Sequence, residues 1–236
     1  MSRHLLFAAL AAAWLVQGSR IPVASAGTHG LCDLMTHCTV PSHMNLVACP
    51  PPGGDPDNSA DSLAAGARFT VVVRDIANNP VGGVLVEIEI PSPAHSGVRI
   101  GSTQHFRGEV PDCEADFTSI TATTNGIGQA SFVVIGGGAY GNPTSSGGLV
   151  WLCNFDCVYF GMCEIGTFTI GVYDLDGGGG VSGADLSKWS SDFFGGTNPP
   201  RSDYNGDGRV GGTDLSLWSD VFWRGREPNS PPAYCP

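Results

Sequence analysis

The middle of the chain alternates short apolar runs with turn residues at intervals of 8 to 15 positions. The runs are rich in β-branched and aromatic residues, and turns such as Asn78-Asn79-Pro80 and Asn125-Gly126 separate them. This pattern is typical of a mainly β fold, and we predict an antiparallel β-sandwich over residues 66–173. The predicted strands cover residues 69–75, 84–90, 117–123, 129–135, 149–152, 157–160 and 167–172.

A different pattern follows in residues 174–225. Apolar residues there fall at positions i, i+3 and i+7, twice, 29 residues apart. This spacing places each set on one face of a helix, so we predict two short helices with one apolar face each. The two sets are Leu186, Trp189 and Phe193, and Leu215, Trp218 and Phe222.

An apolar run of twelve residues, 5–16, lies near the N-terminus behind Arg3 and His4. It is too short to span a bilayer, which takes about 20 residues. It fits the hydrophobic part of a secretory signal peptide, and Ala24-Ser25-Ala26 offers a cleavage site. We predict a signal peptide over residues 1–26 and a secreted or cell-surface location. No second run of this length follows, so we expect no membrane span in the mature chain.

The net charge argues against one class of function, and the cysteine count predicts disulfide bonds. The chain has 22 acidic and 11 basic residues, a net charge of −11, which argues against nucleic-acid binding. Its eight cysteines all follow the predicted cleavage site, and an even number in an exported chain predicts a disulfide framework. Residues 27–65 form a Cys/Pro-rich extension with one strand over 43–48, and residues 226–236 form a C-terminal tail. Cys113 lies in a gap between predicted strands.

Residues 174–225 contain an internal repeat. When residues 174–196 are laid on residues 203–225, 12 of 23 positions are identical. The identities include the aspartates at 174/203 and 185/214 and the tryptophans at 189/218. The two copies therefore form one duplicated module.

Each copy begins with oxygen-bearing residues at the spacing of a twelve-residue calcium loop. Such a loop supplies ligands from positions 1, 3, 5, 7, 9 and 12 and has a glycine at position 6, where the chain turns sharply. In both copies Asp stands at position 12 in place of the usual Glu. The second copy offers Asp203, Asn205, Asp207, the Arg209 carbonyl, a water beside Gly211, and Asp214. The first copy offers Asp174, Asp176, Gly178, the Gly180 carbonyl, Ser182 and Asp185.

The two loops differ in ways that predict unequal affinity. Position 5 of the first loop is Gly178, which has no side-chain oxygen, so a carbonyl or a water must take that place. Four consecutive glycines, 177–180, make the empty loop flexible, and ordering it on binding costs conformational entropy. Each loop has three carboxylates, so charge does not separate them. We expect Ca²⁺ at both sites, with weaker binding at the first.

A calcium loop with an exit helix but no entering helix, present twice, resembles the type I dockerin modules over residues 174–225. The resemblance implies a small two-helix, two-calcium-loop module that docks a cohesin-like protein partner. Dockerins often use hydroxyls at loop positions 10 and 11 for docking. Here those positions hold Gly183-Ala184 and Gly212-Thr213, so Thr213 alone offers a hydroxyl. This departure leaves the predicted calcium ligands intact.

Two segments of the β region resemble the bacterial immunoglobulin-like domains of invasin-type adhesins. They are residues 75–84, with the sequence DIANNPVGGV, and residues 123–132, with the sequence TTNGIGQASF. The resemblance covers roughly residues 66–135. It implies an Ig-like sandwich that serves as a spacer or adhesive module and not as an enzyme.

We therefore expect a secreted, non-enzymatic calcium-binding protein with a structural, adhesive or assembly role at a bacterial cell surface or in the extracellular matrix. Two alternatives stay open: a subunit of a self-assembling extracellular filament or layer, and a dockerin-borne carbohydrate-binding module. The second would stack sugars on Trp151, Tyr159 and Phe160, although core packing also explains these residues. Glu87 and Glu89 share one strand face, as a glycosidase pair would, but the solvated face of an amphipathic strand accounts for them.

Overall fold

The computed structural model describes residues 37–47, 67–91, 96–105, 112–113, 117–138, 148–153, 163–178, 180–196 and 199–224. The predicted signal peptide at 1–26, the predicted strand at 157–160 and the tail at 226–236 lie outside these ranges, as does Gly179 at position 6 of the first loop. Within them the chain is mainly β, as predicted, with two helices at the C-terminal end.

The described residues contain ten strands, two α-helices and one 3₁₀ turn. The strands are β1 (His43–Leu46), β2 (Phe69–Val72), β3 (Leu85–Pro91), β4 (Val98–His105), β5 (Asp112–Cys113), β6 (Phe117–Thr123), β7 (Gln129–Phe132), β8 (Val134–Gly138), β9 (Gly148–Cys153) and β10 (Cys163–Val172). The helices are α1 (Gly183–Gly195) and α2 (Gly212–Arg224), and the 3₁₀ turn is Pro200–Ser202. Both predicted helices are therefore present, and the strand predicted at 43–48 is present as β1.

The strands form a six-stranded sheet in the order β1-β10-β9-β3-β6-β5 and two pairs, β2-β7 and β4-β8. The described strand pairings within residues 66–173 are all antiparallel, as predicted for that region. β1, which belongs to the predicted extension at 27–65, pairs in parallel with β10. After β1 the chain moves on to β8: the Val47 N–H donates to the Val134 carbonyl at 2.8 Å, and the Val47 carbonyl accepts from Gly136 N–H at 2.9 Å. One segment thus bonds both to the large sheet and to a strand pair.

Two strands lie where the sequence pattern predicts none. In β4 the alternation stops after Ile100, and Gly101 follows, whose missing side chain leaves room for Ile135 at 3.3 Å from an ideal Cβ position. Cys113, which the sequence places in a gap, lies in β5, a two-residue edge strand paired with β6. Neither segment has the sustained period of two by which strands are recognised.

The core lies between the large sheet and the strand pairs and continues under the helices. Phe69 of β2 contacts Phe168 of β10 with ring centroids 4.7 Å apart, which links a strand pair to the large sheet. The same continuous cluster of buried residues includes Trp189 of α1 and Trp218 of α2. The predicted apolar faces are only partly buried, however, because Phe193 is 42% exposed and Leu215 is 36% exposed.

Two of the described cysteines, Cys113 and Cys163, are disulfide-bonded. Burial raises the pKa of Cys38, and a hydrogen bond with the Arg74 backbone opposes the rise. A disulfide framework that includes all eight cysteines stays a prediction.

The ends of α1 explain where that helix starts and stops. Ser182 caps its N-terminus, and its side chain accepts a hydrogen bond from Ala184 N–H at 3.2 Å. Gly196 ends it in the left-handed conformation, at φ 66°. Within the described part of the chain, neither helix has the length and apolar character that crossing a membrane requires.

Candidate metal centre

The first predicted loop begins directly where β10 ends. Asp174 follows the strand by two residues, and its backbone carbonyl accepts a hydrogen bond from Gly138 N–H of β8 at 2.7 Å. The next residue, Leu175, is fully buried in the core. The entry of the loop is therefore fixed by the β strands on which it lies.

Three aspartates of the first loop come together. Each of Asp174, Asp176 and Asp185 offers one carboxylate oxygen, and these atoms lie within 4.8 Å of one another. Asp174 and Asp185 are fully buried, whereas Asp176 is partly exposed. Since Ca²⁺ binds oxygens at about 2.3–2.6 Å, the ligands of one ion lie within about 5 Å of each other. The triad therefore has the spread that a single ion needs.

Asp185 organises this loop from the first turn of α1. Its Oδ1 accepts from Asp176 N–H at 2.8 Å, and its Oδ2 accepts from Ser182 N–H at 2.7 Å and from the Ser182 hydroxyl at 2.8 Å. Burial raises the pKa of Asp185, and these hydrogen bonds oppose the rise. A buried carboxylate next to two others gains most from a cation that neutralises them.

The second loop repeats the hydrogen-bond frame of the first. Asp214 accepts from Asn205 N–H at 3.1 Å and from Gly211 N–H at 2.8 Å, just as Asp185 accepts at the equivalent positions. Asp203 and Asn205 accept from Asp207 N–H at 3.1 and 3.0 Å, as Asp174 and Asp176 accept from Gly178 N–H at 3.0 and 2.7 Å. Four bonds thus recur at an offset of 29 residues. The duplication in sequence is a duplication of loop geometry.

The turn positions of the second loop also have the conformation that its glycines predict. Gly208, at position 6, has φ 84°, and Gly206, at position 4, has φ 69°. Gly177, at position 4 of the first loop, has φ 70°. These are left-handed values that favour glycine.

The two loops differ in how their acidic side chains are engaged. Asp207 of the second loop accepts hydrogen bonds from Arg209 N–H at 2.9 Å and from the Asn205 side-chain amide at 3.0 Å.

The first triad is the one candidate metal cluster among the described residues. No second group of three His, Cys, Asp or Glu side chains there has its ligand atoms within 4.8 Å of one another. Gly180 is partly buried and Arg209 is exposed, and the ligand roles of their carbonyls stay predictions, as does weaker binding at the first site.

An ion pair fixes the approach to the second loop. Asp192 of α1 is 5% exposed and accepts from Arg201 Nε at 2.8 Å and from the Ser202 hydroxyl at 2.6 Å. Arg201 and Ser202 belong to the 3₁₀ turn that precedes Asp203. The first helix therefore holds the chain that enters the second loop.

Residues of β1 support the second loop, and sequence reasoning misses them. The Asn45 amide donates to the Tyr204 carbonyl at 2.8 Å, and its Oδ1 lies 2.9 Å from His43 Nε2. Tyr204 stacks on Tyr173 with ring centroids 4.5 Å apart, and its hydroxyl donates to the Val172 carbonyl at 3.2 Å. No local signal marks these contacts, because Asn45 and Tyr204 are 159 residues apart.

Comparisons of this chain with protein families, with curated proteins and with solved structures find no match. A function for this chain is therefore argued from the geometry of the two loops.

Proposed function

We propose that the module of residues 174–225 binds two Ca²⁺ ions and that the chain is a secreted, non-enzymatic protein with a structural, adhesive or assembly role outside the cell. The observation that carries the proposal is the recurring hydrogen-bond frame, in which Asp185 and Asp214 tie positions 3 and 9 of each loop to the start of a helix. In the first loop this frame accompanies three aspartates whose carboxylate oxygens lie within 4.8 Å of one another.

The donor set matches the chemistry of calcium. Ca²⁺ is a hard cation that takes about six to eight oxygen ligands, and both loops offer carboxylate, amide or hydroxyl oxygens without sulfur or imidazole. Asp174 and Asp176, with Asp185, would hold the first ion, and Asp203, Asn205, Asp207 and Asp214 would hold the second. The bound ion would supply positive charge where buried carboxylates otherwise repel one another.

The proposed role follows from where the loops sit. Both are joined to the β strands, the first through the Asp174 carbonyl and the second through the Tyr204 carbonyl. Calcium would therefore lock a dockerin-like module onto an Ig-like sandwich, which suits a rigid attachment or assembly unit. The partner proposed for this module is a protein that docks beside the helix starts, where Thr213 is exposed.

Calorimetric titration of the secreted chain with Ca²⁺ tests the proposal. We expect two ions per chain, with the first loop filling at higher concentration. Asp185→Asn should remove the weaker binding event and Asp214→Asn the tighter one, while Asp220→Asn, an equal charge change in α2 outside the loops, should keep both. Absence of heat, or two events that survive both loop variants, would refute calcium binding by these loops.

A further inference from the structure

A tryptophan and several carboxylates lie on the outer face of the large sheet, away from the loops. Directly paired residues of neighbouring strands project from the same face. Val86, Ile88 and Val150 are buried in the core, so their alternates point outward. Two rows of outward residues cross the sheet. The first row, from β6 to β10, is Thr121, Glu87, Trp151 and Glu164. The second row, from β5 to β10, is Asp112, Ser119, Glu89, Leu149 and Thr167.

Trp151 stands among carboxylates on this face. Glu87 and Glu164 are its direct partners on the two neighbouring strands. Glu89, two residues from Glu87, accepts a hydrogen bond from the Trp151 indole N–H at 3.1 Å, which fixes the ring. Trp151 and Glu89 are partly exposed and Glu164 is exposed, so the ring and two of its carboxylates reach solvent.

Among the residues that the structure describes, the charges on this face have one sign. Glu87 is 6% exposed, and burial raises its pKa, to which the nearby charges of Glu89 and Asp112 add while a hydrogen bond with Ser119 opposes the rise. Three carboxylates near one indole ring, those of Glu87, Glu89 and Glu164, create a negative potential, and the indole face also attracts cations. The charge complementarity of the face therefore favours a cationic ligand and repels anionic ones.

A depression with hydroxyl groups adjoins the tryptophan. It has a volume of about 580 Å³ and is lined by Ser42, Gly148, Leu149, Thr167, Phe168 and Thr169. It begins one row from Trp151, since Leu149 is paired with Glu89 and Thr167. Hydroxyls donate and accept hydrogen bonds, so the depression suits a ligand with many hydroxyl groups of its own.

We propose that this face binds an amino-sugar oligosaccharide with free, protonated amines. The amines would lie between Trp151, Glu89 and Glu164, and the neighbouring sugar would fill the depression against Leu149 and the hydroxyls of Thr167 and Ser42. A lysine-rich peptide would satisfy the carboxylates and the indole but would leave the hydroxyl-lined depression without partners. This site is independent of the calcium loops.

The test is calorimetric titration of the secreted chain, at fixed calcium, with a glucosamine hexamer, an N-acetylglucosamine hexamer and a lysine hexapeptide. We expect the glucosamine hexamer to bind, more weakly as salt rises, and the acetylated hexamer to bind at least about 10-fold more weakly because it lacks the charge-assisted bonds. Trp151→Ala should abolish binding. Glu89→Gln and the exposed Glu164→Gln should each weaken it by about 10-fold.

Matched controls separate the site from general effects of charge and apolar surface. Phe194→Ala removes an aromatic ring that is 84% exposed elsewhere, and Asp220→Asn removes a distant carboxylate; both should bind like the wild type. Glu164→Gln keeps the test decisive if Trp151→Ala fails to fold, because position 164 is on the surface. Binding of neither hexamer, equal binding of both, or binding of the lysine peptide alone would overturn the proposal, and calcium titration of the same variants would be unaffected in each case.

Discussion

At the scale of single residues, Gly206 shows how tightly the second loop meets the sheet. It has φ 69°, and a Cβ there would lie 2.8 Å from His43 Cβ. Gly206→Ala should lower the free energy of unfolding by about 1–3 kcal/mol, because it adds backbone strain to a clash. Urea unfolding in excess calcium measures the change. Gly212→Ala, with open space and helical backbone, should stay within about 0.5 kcal/mol; an equal loss in both variants would contradict this reason.

His43 makes the same contact sensitive to pH. Its Nε2 lies 2.9 Å from Asn45 Oδ1, and its Nδ1 lies 2.8 Å from the Thr169 hydroxyl. Burial lowers the pKa of His43. The hydrogen bond with Asn45 and the charges of Asp203 and Asp214 raise this pKa, but by less. A lowered folded-state pKa means that the unfolded chain binds the proton more readily, so the contribution of His43 is present at neutral pH and lost as the pH falls.

The corresponding prediction compares wild type with His43→Gln by urea unfolding at fixed calcium. Between about pH 7 and pH 5 the wild type should lose more stability than the variant, since only the wild type has an imidazole to protonate. Asp75→Asn, in an exposed turn, is the control that keeps His43. Its change of unfolding free energy with pH should match that of the wild type, because exposed carboxylates are already charged between about pH 5 and pH 7. Parallel slopes for wild type and His43→Gln would contradict the prediction.

Residue spacing suffices to predict which residues form the two loops but not what supports them. Asp185 and Asp214, proposed as ligands at position 12, could be picked out because the calcium-loop pattern is local, twelve residues long, and readable without a fold. Asn45 and Tyr204 meet only because β1 pairs in parallel with β10, a contact between distant parts of the chain. No local period encodes such a pairing.

At the scale of elements, the two helices repeat each other's aromatic packing. Trp189 stacks on Phe193 at 5.3 Å and Trp218 stacks on Phe222 at 5.1 Å, with interplanar angles of 10° and 11°. Both tryptophans are 4% exposed, and within the described residues neither indole N–H has an acceptor. Burial of the apolar indole surface stabilises each helix, whereas burial of an indole N–H without an acceptor costs the free energy of removing it from water.

This balance predicts how substitutions rank. Trp189→Phe and Trp218→Phe should each cost less than about 2 kcal/mol, because the ring stays and the buried N–H is removed. Trp189→Ala and Trp218→Ala should each cost about 3–5 kcal/mol. Urea unfolding in excess calcium measures all four. A Phe variant as damaging as its Ala counterpart would show that the N–H has a partner and that the ranking is wrong.

The strands were predictable where one face is buried and the other is not. In β6, Thr118, Ile120 and Ala122 are buried and alternate with more exposed residues, and its predicted and observed bounds agree. The strand predicted over 129–135 is instead two, β7 and β8, because Val133 lies between them and the run from 132 to 135 is buried throughout. A change of pairing partner from β2 to β4 falls at this point, and the period of two cannot reveal it.

At the scale of the whole molecule, the two loops of the proposed calcium sites and the sheets form one unit. Tyr204, Trp189 and Trp218 belong to the same buried cluster as Leu46, Phe168 and Val172. The loops are also bonded to β8 and β1 through backbone carbonyls. An ion that orders a loop should therefore stabilise the strands on which the loop is built, because binding to the native state alone shifts folding by mass action.

Amide hydrogen exchange with calcium and with EDTA tests this coupling strand by strand. Removing calcium should speed exchange in β1, β8 and the end of β10 together with the helices, because the Asn45–Tyr204 and Gly138–Asp174 bonds join them. Asn45→Ala should weaken calcium binding at the second loop more than at the first, since it removes the support of Tyr204 alone. The edge pair β5-β6, far from both loops, is the internal control. Faster exchange confined to the helices, with β1 unchanged, would mean that the module melts by itself and that calcium does not hold the molecule together.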